Sequence, residues 1–232
     1  MQTTRLTHIV RASLFALSTL NALTACSNDT RTVSAPTVPA VAKLVAKTDP
    51  SLFAAPVGTT IAGTQVQVQD ANGNPIGGVT VSFTVYDGGS VSLVNTVSDA
   101  NGLATVDWTL GTTAGADSLE ASVGANVQTY LVATAQPGAV AQLVAVDGNQ
   151  EQLAEGASAQ LVVKALDQYG NLVPNANITW VDQSGGSLSA TSSVTDASGL
   201  AQVTLTTDLA PEQYTVLAEA ATVSVTFVDT SN

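Results

Sequence analysis

The sequence predicts an all-β protein built of two tandem antiparallel β-sandwiches, and three observations support this. First, the segment 70–110 recurs as 167–207 without a gap. Second, apolar residues alternate with polar ones within each copy, as in strands that bury one face. Third, glycine-containing turn signatures separate these runs at short intervals, and no stretch has a convincing helical period.

The alternation is clearest in two runs of the first copy. VTVSFTVY at 79–86 and LATVDWTL at 103–110 both place apolar residues at every second position, with many Val and Thr residues. The offset from Asp70 to Asp167 gives units of about 95 to 100 residues, the usual size of an Ig-like sandwich. We therefore predict one Ig-like domain at 41–136 and a second at 137–232.

Four of the 18 acidic residues begin turn signatures. DANG at 70–73 and 99–102, DQYG at 167–170 and DASG at 196–199 all begin with Asp and end with Gly. This pattern is typical of a type I turn in which the Asp side chain accepts hydrogen bonds from backbone amides. Calcium binding is the alternative, but the alternating carboxylates and closing glutamate of an EF-hand loop are missing.

The N-terminal segment 1–25 has the pattern of a secretory signal peptide. Arg5 and Arg11 are its only full charges, and the apolar run 12–23 follows. This run is too short for a membrane span, which needs about 20 residues. We interpret it as an export signal and residues 26–40 as the lipidated cysteine and a flexible Ser-, Thr- and Pro-rich tether.

Leu23, Thr24, Ala25 and Cys26 resemble a bacterial lipobox, and Cys26 is the single cysteine of the chain. The resemblance implies that diacylglycerol is joined to the Cys26 thiol and that cleavage precedes this residue. Acyl chains would then hold the protein on a membrane. Ser27 after the cysteine implies outer-membrane sorting by the rule of enterobacterial lipoproteins.

Composition excludes several classes of function. The predicted mature chain keeps four of the six basic residues and all 18 acidic residues, so its formal charge is −14. Such a chain lacks the cationic contacts that nucleic-acid binding requires. His8, the single histidine, lies in the predicted signal peptide, which excludes histidine-dependent triads and the usual zinc sites. We expect no enzyme and no cofactor, with a carboxylate-only hydrolase as a remote alternative.

The aromatic residues fall into two groups. Phe83 and Trp180 occupy matching positions within apolar stripes, which favours the sandwich cores over sugar-stacking platforms. Tyr86, Tyr130 and Tyr169 are the better candidates for exposed contact residues.

The repeated motifs resemble the group 1 bacterial Ig-like domains of intimin and invasin adhesins. The first copy carries DANGNPIGGVTVSFTV and SDANGLATVDWTLG, and the second carries DQYGNLVPNANITW and TDASGLAQVTL. The resemblance covers nearly all of residues 40–229 and implies rigid extracytoplasmic modules used in tandem. An adhesin barrel and a lectin-like cap are absent from the matched region, so receptor binding does not carry over.

These observations predict a lipid-anchored envelope protein that acts in adhesion, or in binding and display of a protein. The expected partners are a membrane, through the lipid on Cys26, and a protein or glycan. The expected location is the outer membrane with surface exposure. The alternative is a periplasm-facing structural or accessory lipoprotein of an envelope assembly.

Overall fold

The computed structural model describes residues 39–48, 53–209 and 212–232. Pro39–Asn232 form one compact unit that contains two β-sandwiches, and the described residues contain no α-helix. The predicted fold class, tandem Ig-like antiparallel sandwiches, is confirmed. The predicted lipobox residues Leu23, Thr24, Ala25 and Cys26, with the signal peptide and most of the tether, lie outside the described residues.

The first sandwich consists of two facing sheets. Its strands are β1 (Lys43–Ala46), β2 (Ala54–Pro56), β3 (Thr60–Gln69), β4 (Thr80–Tyr86), β5 (Ser90–Val91), β6 (Asn95–Val97), β7 (Leu103–Thr109), β8 (Gly115–Val123) and β9 (Val127–Gln136). One sheet has the order β1-β3-β7-β5 and the other the order β2-β9-β8-β4-β6. The short β2 runs parallel to β9, and the other pairs are antiparallel.

The second sandwich repeats this plan strand for strand. Its strands are β10 (Gln142–Asp147), β11 (Gln152–Leu153), β12 (Ser158–Leu166), β13 (Asn177–Asp182), β14 (Ser187–Leu188), β15 (Ser192–Val194), β16 (Leu200–Thr206), β17 (Gln213–Ala220) and β18 (Val223–Ser231). The sheet orders are β10-β12-β16-β14 and β11-β18-β17-β13-β15. The sequence repeat is therefore a repeat of the complete sandwich.

Each sandwich has a core of its own, built from the alternation seen in the sequence. On β7, Ala104, Val106 and Trp108 point inward and are almost inaccessible, while the residues between them are more exposed. The two hydrophobic clusters share no residue. Burial of each large apolar side chain contributes about 1.5–3 kcal/mol, so each sandwich has its own hydrophobic stabilisation.

Candidate functional site

The Asp-x-x-Gly turns use their carboxylates to close the backbone. Asp70 accepts hydrogen bonds at Oδ1 from the amides of Asn72 and Asn74, both at 2.8 Å. Gly73 has φ +86°, a conformation that glycine adopts without strain. The other three turns make the same pair of carboxylate contacts. The structural interpretation of these acids is thus confirmed, and no cluster of three potential metal ligands occurs among the described residues.

Phe83 and Trp180 lie in the two cores, at 3% and 2% exposure. Trp180 packs tilted against Phe227 with ring centroids 6.0 Å apart, and its indole Nε1 donates to Ser193 Oγ at 2.8 Å. The prediction that these aromatics anchor the cores is confirmed. Their burial leaves neither ring face available for stacking on a sugar.

Two of the three tyrosines proposed as contact residues meet on the outer face of the first sandwich. Tyr86 ends β4 and Tyr130 lies on β9, and the strand β8 runs between them. Both hydroxyls donate to the same oxygen, Oε2 of Glu120 on β8, at 2.9 Å and 3.1 Å. We call Tyr86, Glu120 and Tyr130 the tyrosine–glutamate cluster.

The sheet register explains why these side chains meet. Glu120 lies directly opposite Tyr130, and on its other side it pairs with Thr84. Tyr86 is two residues beyond Thr84, so it occupies the diagonal position on the same face, within reach of a long side chain. Leu119 and Ala121, the neighbours of Glu120 along β8, point into the core. Because side chains alternate between the two faces of a strand, Glu120 points to the outer surface.

The two tyrosines of the cluster are exposed, and Glu120 between them is half-buried. Tyr86 and Tyr130 are 44% and 51% exposed, and the neighbouring Val132 on β9 is exposed too. The hydrogen bond to Glu120 and the negative charge of its carboxylate raise the pKa of both tyrosine hydroxyls. The phenols therefore stay protonated above their ordinary range and keep donating to the carboxylate.

The second sandwich is an internal reference for what the fold requires. The offset of 97 residues places Gln183 at the position of Tyr86 and Leu217 at that of Glu120. The pairing of Leu217 with Thr226 likewise puts Thr226 at the position of Tyr130. Because the same sandwich forms without the cluster, folding does not explain why these three residues occur together.

A groove lies beside the cluster, at the edge of β4. Its volume is about 570 Å³, and its lining comprises Ser82, Phe83, Thr84, Val85, Ser90, Val91, Val94 and Asn95. Thr84 links the two features, because it lines the groove and pairs with Glu120 across the sheet. Tyr86, Glu120 and Tyr130 themselves are not among the residues that line the groove.

A comparison with known families identifies the second sandwich. Residues 142–229 match the family model described as bacterial Ig-like domain (group 1). The chain carries a bacterial Ig-like domain of group 1. This Ig-like domain begins with β10 and ends within β18, and the first sandwich repeats its strand order. The resemblance that the sequence motifs predicted is confirmed.

Solved structures that are similar to this chain include InvD and two bacterial adhesins. The chain is 22% identical to InvD of Yersinia pseudotuberculosis, with a TM-score of 0.51, covering 82% of this chain and 57% of InvD. It is 25% identical to the adhesin InvE of the same organism (TM-score 0.40; 82% and 58% covered) and 18% identical to the Escherichia coli adhesin FdeC (TM-score 0.47; 80% and 63% covered). The chain thus spans less than two thirds of each of these structures.

The third predicted contact residue, Tyr169, lies elsewhere, at the junction between the Ig-like domains. A side chain at Gly58 of the first sandwich would lie 3.3 Å from the Tyr169 hydroxyl. Beside it, Asn171 accepts a hydrogen bond from the Ala114 amide and donates to the Thr112 carbonyl, each at 2.8 Å. Tyr169 therefore belongs to the contact between the two sandwiches and not to the tyrosine–glutamate cluster.

The membrane attachment predicted from the sequence is not tested by the described ranges 39–48, 53–209 and 212–232. No helix in these ranges is long and apolar enough to cross a membrane. Cys26 and the other lipobox residues are not described, so lipid attachment stays a prediction.

Proposed function

We propose that this chain is a lipid-anchored protein of the bacterial cell envelope that acts in adhesion or in binding of another protein. The observation that carries the proposal is the exposed tyrosine–glutamate cluster on the first sandwich. Tyrosine is enriched at protein interfaces because its ring contributes contact area and its hydroxyl a polar contact. The reference provided by the second sandwich supports a role other than folding.

The lipobox supports the anchor. Acylation of Cys26 would attach the chain to a membrane, and the predicted tether 26–40 would separate the lipid from the first strand. If extended at about 3.1 Å per residue, this tether spans about 40 Å. The group 1 Ig-like domain and the adhesins of similar fold support display at the cell surface.

The anchor and the location are tested by labelling cells that express the wild type or Cys26→Ala with a clickable palmitate. The intact cells are then treated with protease. We expect label on the wild type alone and degradation of the labelled protein. Label combined with protection from protease would favour the periplasm-facing accessory lipoprotein. Absence of label from the wild type would refute the anchor.

The contact surface is tested with a photo-crosslinking amino acid placed at position 130 of the displayed protein. The matched control carries the same group at position 226, which is exposed on the corresponding strand of the second sandwich. We expect discrete crosslinked species from position 130 that are missing from position 226. Equal crosslinking at both positions would contradict a specific role for the cluster.

A further inference from the structure

We infer that the tyrosine–glutamate cluster is a binding site for a cationic side chain, arginine in particular, presented by a basic partner protein. This inference rests on the proposed binding function and names the chemical class of the ligand. The hydrogen-bond donors, acceptors and charges around Glu120 favour such a ligand.

The polar atoms at the centre of the cluster are mostly acceptors. Both tyrosine hydroxyls direct their protons to Oε2 of Glu120, so their remaining capacity is to accept. Gln128 Nε2 donates to the Tyr130 hydroxyl oxygen at 3.4 Å and so uses part of its capacity to accept hydrogen bonds. Oε1 of Glu120 has no hydrogen-bond partner among the described residues. A ligand that has many donors and no acceptor fits this arrangement.

Charge leads to the same class of ligand. The strands β4, β8 and β9 contain no Lys or Arg residue, and the outer-face neighbours of Glu120 are mainly Ser and Thr. The carboxylate is therefore not neutralised by a neighbour on its own sheet. The chain as a whole has a formal charge of −12, which favours encounter with basic partners over acidic ones.

The tyrosine rings add a contribution that is specific for cations. A guanidinium or ammonium group over an aromatic face is attracted electrostatically by the ring. Arginine fits better than lysine, because its planar group stacks on rings while donating to a carboxylate. A neutral saccharide fits less well, because each sugar hydroxyl also accepts hydrogen bonds, whereas the polar atoms of the cluster are mostly acceptors themselves.

The test uses the full chain in detergent and two immobilised peptides with the repeat Gly-Ser-Arg-Ser. The second peptide carries citrulline, which has nearly the shape of arginine without its charge, at every arginine position. We expect the wild type to bind the arginine peptide at least tenfold more tightly than the citrulline peptide. Equal affinity for the two peptides would overturn the inference.

Two charge-removing variants separate the site from the overall acidity of the chain. Glu120→Gln keeps the shape of the cluster, whereas Glu219→Gln removes an exposed carboxylate from β17, the corresponding strand of the second sandwich. We expect Glu120→Gln to reduce binding of the arginine peptide by five- to tenfold and Glu219→Gln by less than twofold. Equal losses would mean that net charge alone causes binding and would overturn the site.

A third variant tests the rings. Tyr130→Thr introduces the residue that the second sandwich has at this position and leaves Glu120 in place. We expect a three- to fivefold loss of arginine-peptide binding, and an unchanged affinity would overturn the part assigned to the tyrosines. The palmitate and protease results do not depend on any of these measurements, so failure of the proposed location and failure of this inference are distinguishable.

Discussion

The junction between the two sandwiches allows one quantitative prediction with a control inside the same chain. Asn171 donates to the Thr112 carbonyl and accepts from the Ala114 amide. Asn74 occupies the same place in the corresponding turn of the first sandwich, where the hydrogen bond of its side chain is to Asp70 at 2.9 Å. Asn171→Ala removes these two hydrogen bonds between the sandwiches, and Asn74→Ala serves as its control.

The magnitude follows from the difference between the two turns. Asn171 also donates to Asp167 at 2.9 Å, so both substitutions remove one equivalent bond within the turn. The excess effect of Asn171→Ala is the loss of two neutral hydrogen bonds, each contributing about 0.5–1.5 kcal/mol. Thr112 is exposed and Ala114 half-buried, so water replaces part of the loss. We expect an excess destabilisation of about 1–2 kcal/mol.

Urea unfolding of the full chain, followed by tryptophan fluorescence, measures this difference. Trp108 reports on the first sandwich and Trp180 on the second, and they are the two tryptophans of the chain. The free energy of unfolding, summed over both transitions, is compared between the variants. Equal losses in Asn171→Ala and Asn74→Ala would show that these hydrogen bonds do not couple the sandwiches and would contradict the prediction.

Two further predictions concern a buried carboxylate and a glycine. Asp229 is 1% exposed, its Oδ2 has no hydrogen-bond partner within the described residues, and burial raises its pKa. The Asp229 carboxylate therefore binds a proton more readily in the folded state than in the unfolded state. Because of this difference, the contribution of Asp229 to the free energy of unfolding becomes more favourable as pH falls from neutral towards about 4. Urea unfolding across this range should show a growing advantage of the wild type over Asp229→Asn; a difference that does not depend on pH would contradict it. In Gly89→Ala, the new Cβ would overlap the Thr109 carbonyl oxygen at a φ of +84°, whereas in Gly78→Ala, at +77°, it would meet open space. Thermal unfolding should show a loss of more than about 2 kcal/mol for Gly89→Ala and about 1 kcal/mol for Gly78→Ala, and equal losses would show that the overlap has no cost.

Much of the fold could be predicted because its causes are local in sequence. Period-two alternation in 79–86 and 103–110 requires a strand with one buried face, and β4 and β7 form there. The Asp-to-Gly turns fix their geometry through contacts within four residues. The offset between Asp70 and Asp167 then transfers each local prediction to the second copy.

The candidate site could be predicted only in part because it depends on register. Tyr86 and Tyr130 were identifiable individually as exposed aromatics, whereas Glu120 was not identifiable as their common partner. Tyr86 and Glu120 are 34 residues apart in sequence, and they meet only because β4 pairs with β8 in this register. Tyr130 joins them because β9 pairs with the other side of β8. A shift of one residue in either pairing would turn Glu120 to the core face. No pattern confined to one strand contains this information.

Tyr169 at the junction shows the same limit of sequence-based prediction. The corresponding turn of the first sandwich has the exposed Asn72 in place of this tyrosine. The same fold therefore carries a turn that contacts the other sandwich in the second copy and an exposed turn in the first. The tyrosine–glutamate cluster differs between the copies in the opposite sense, being present in the first and absent from the second. Features shared by both copies are explained by the needs of the sandwich, whereas a feature confined to one copy requires a cause outside that sandwich. For Tyr169 the cause is visible, since the first sandwich contacts it. For Tyr86, Glu120 and Tyr130 no part of the described chain supplies one, and this difference is the basis on which we propose that a partner binds there.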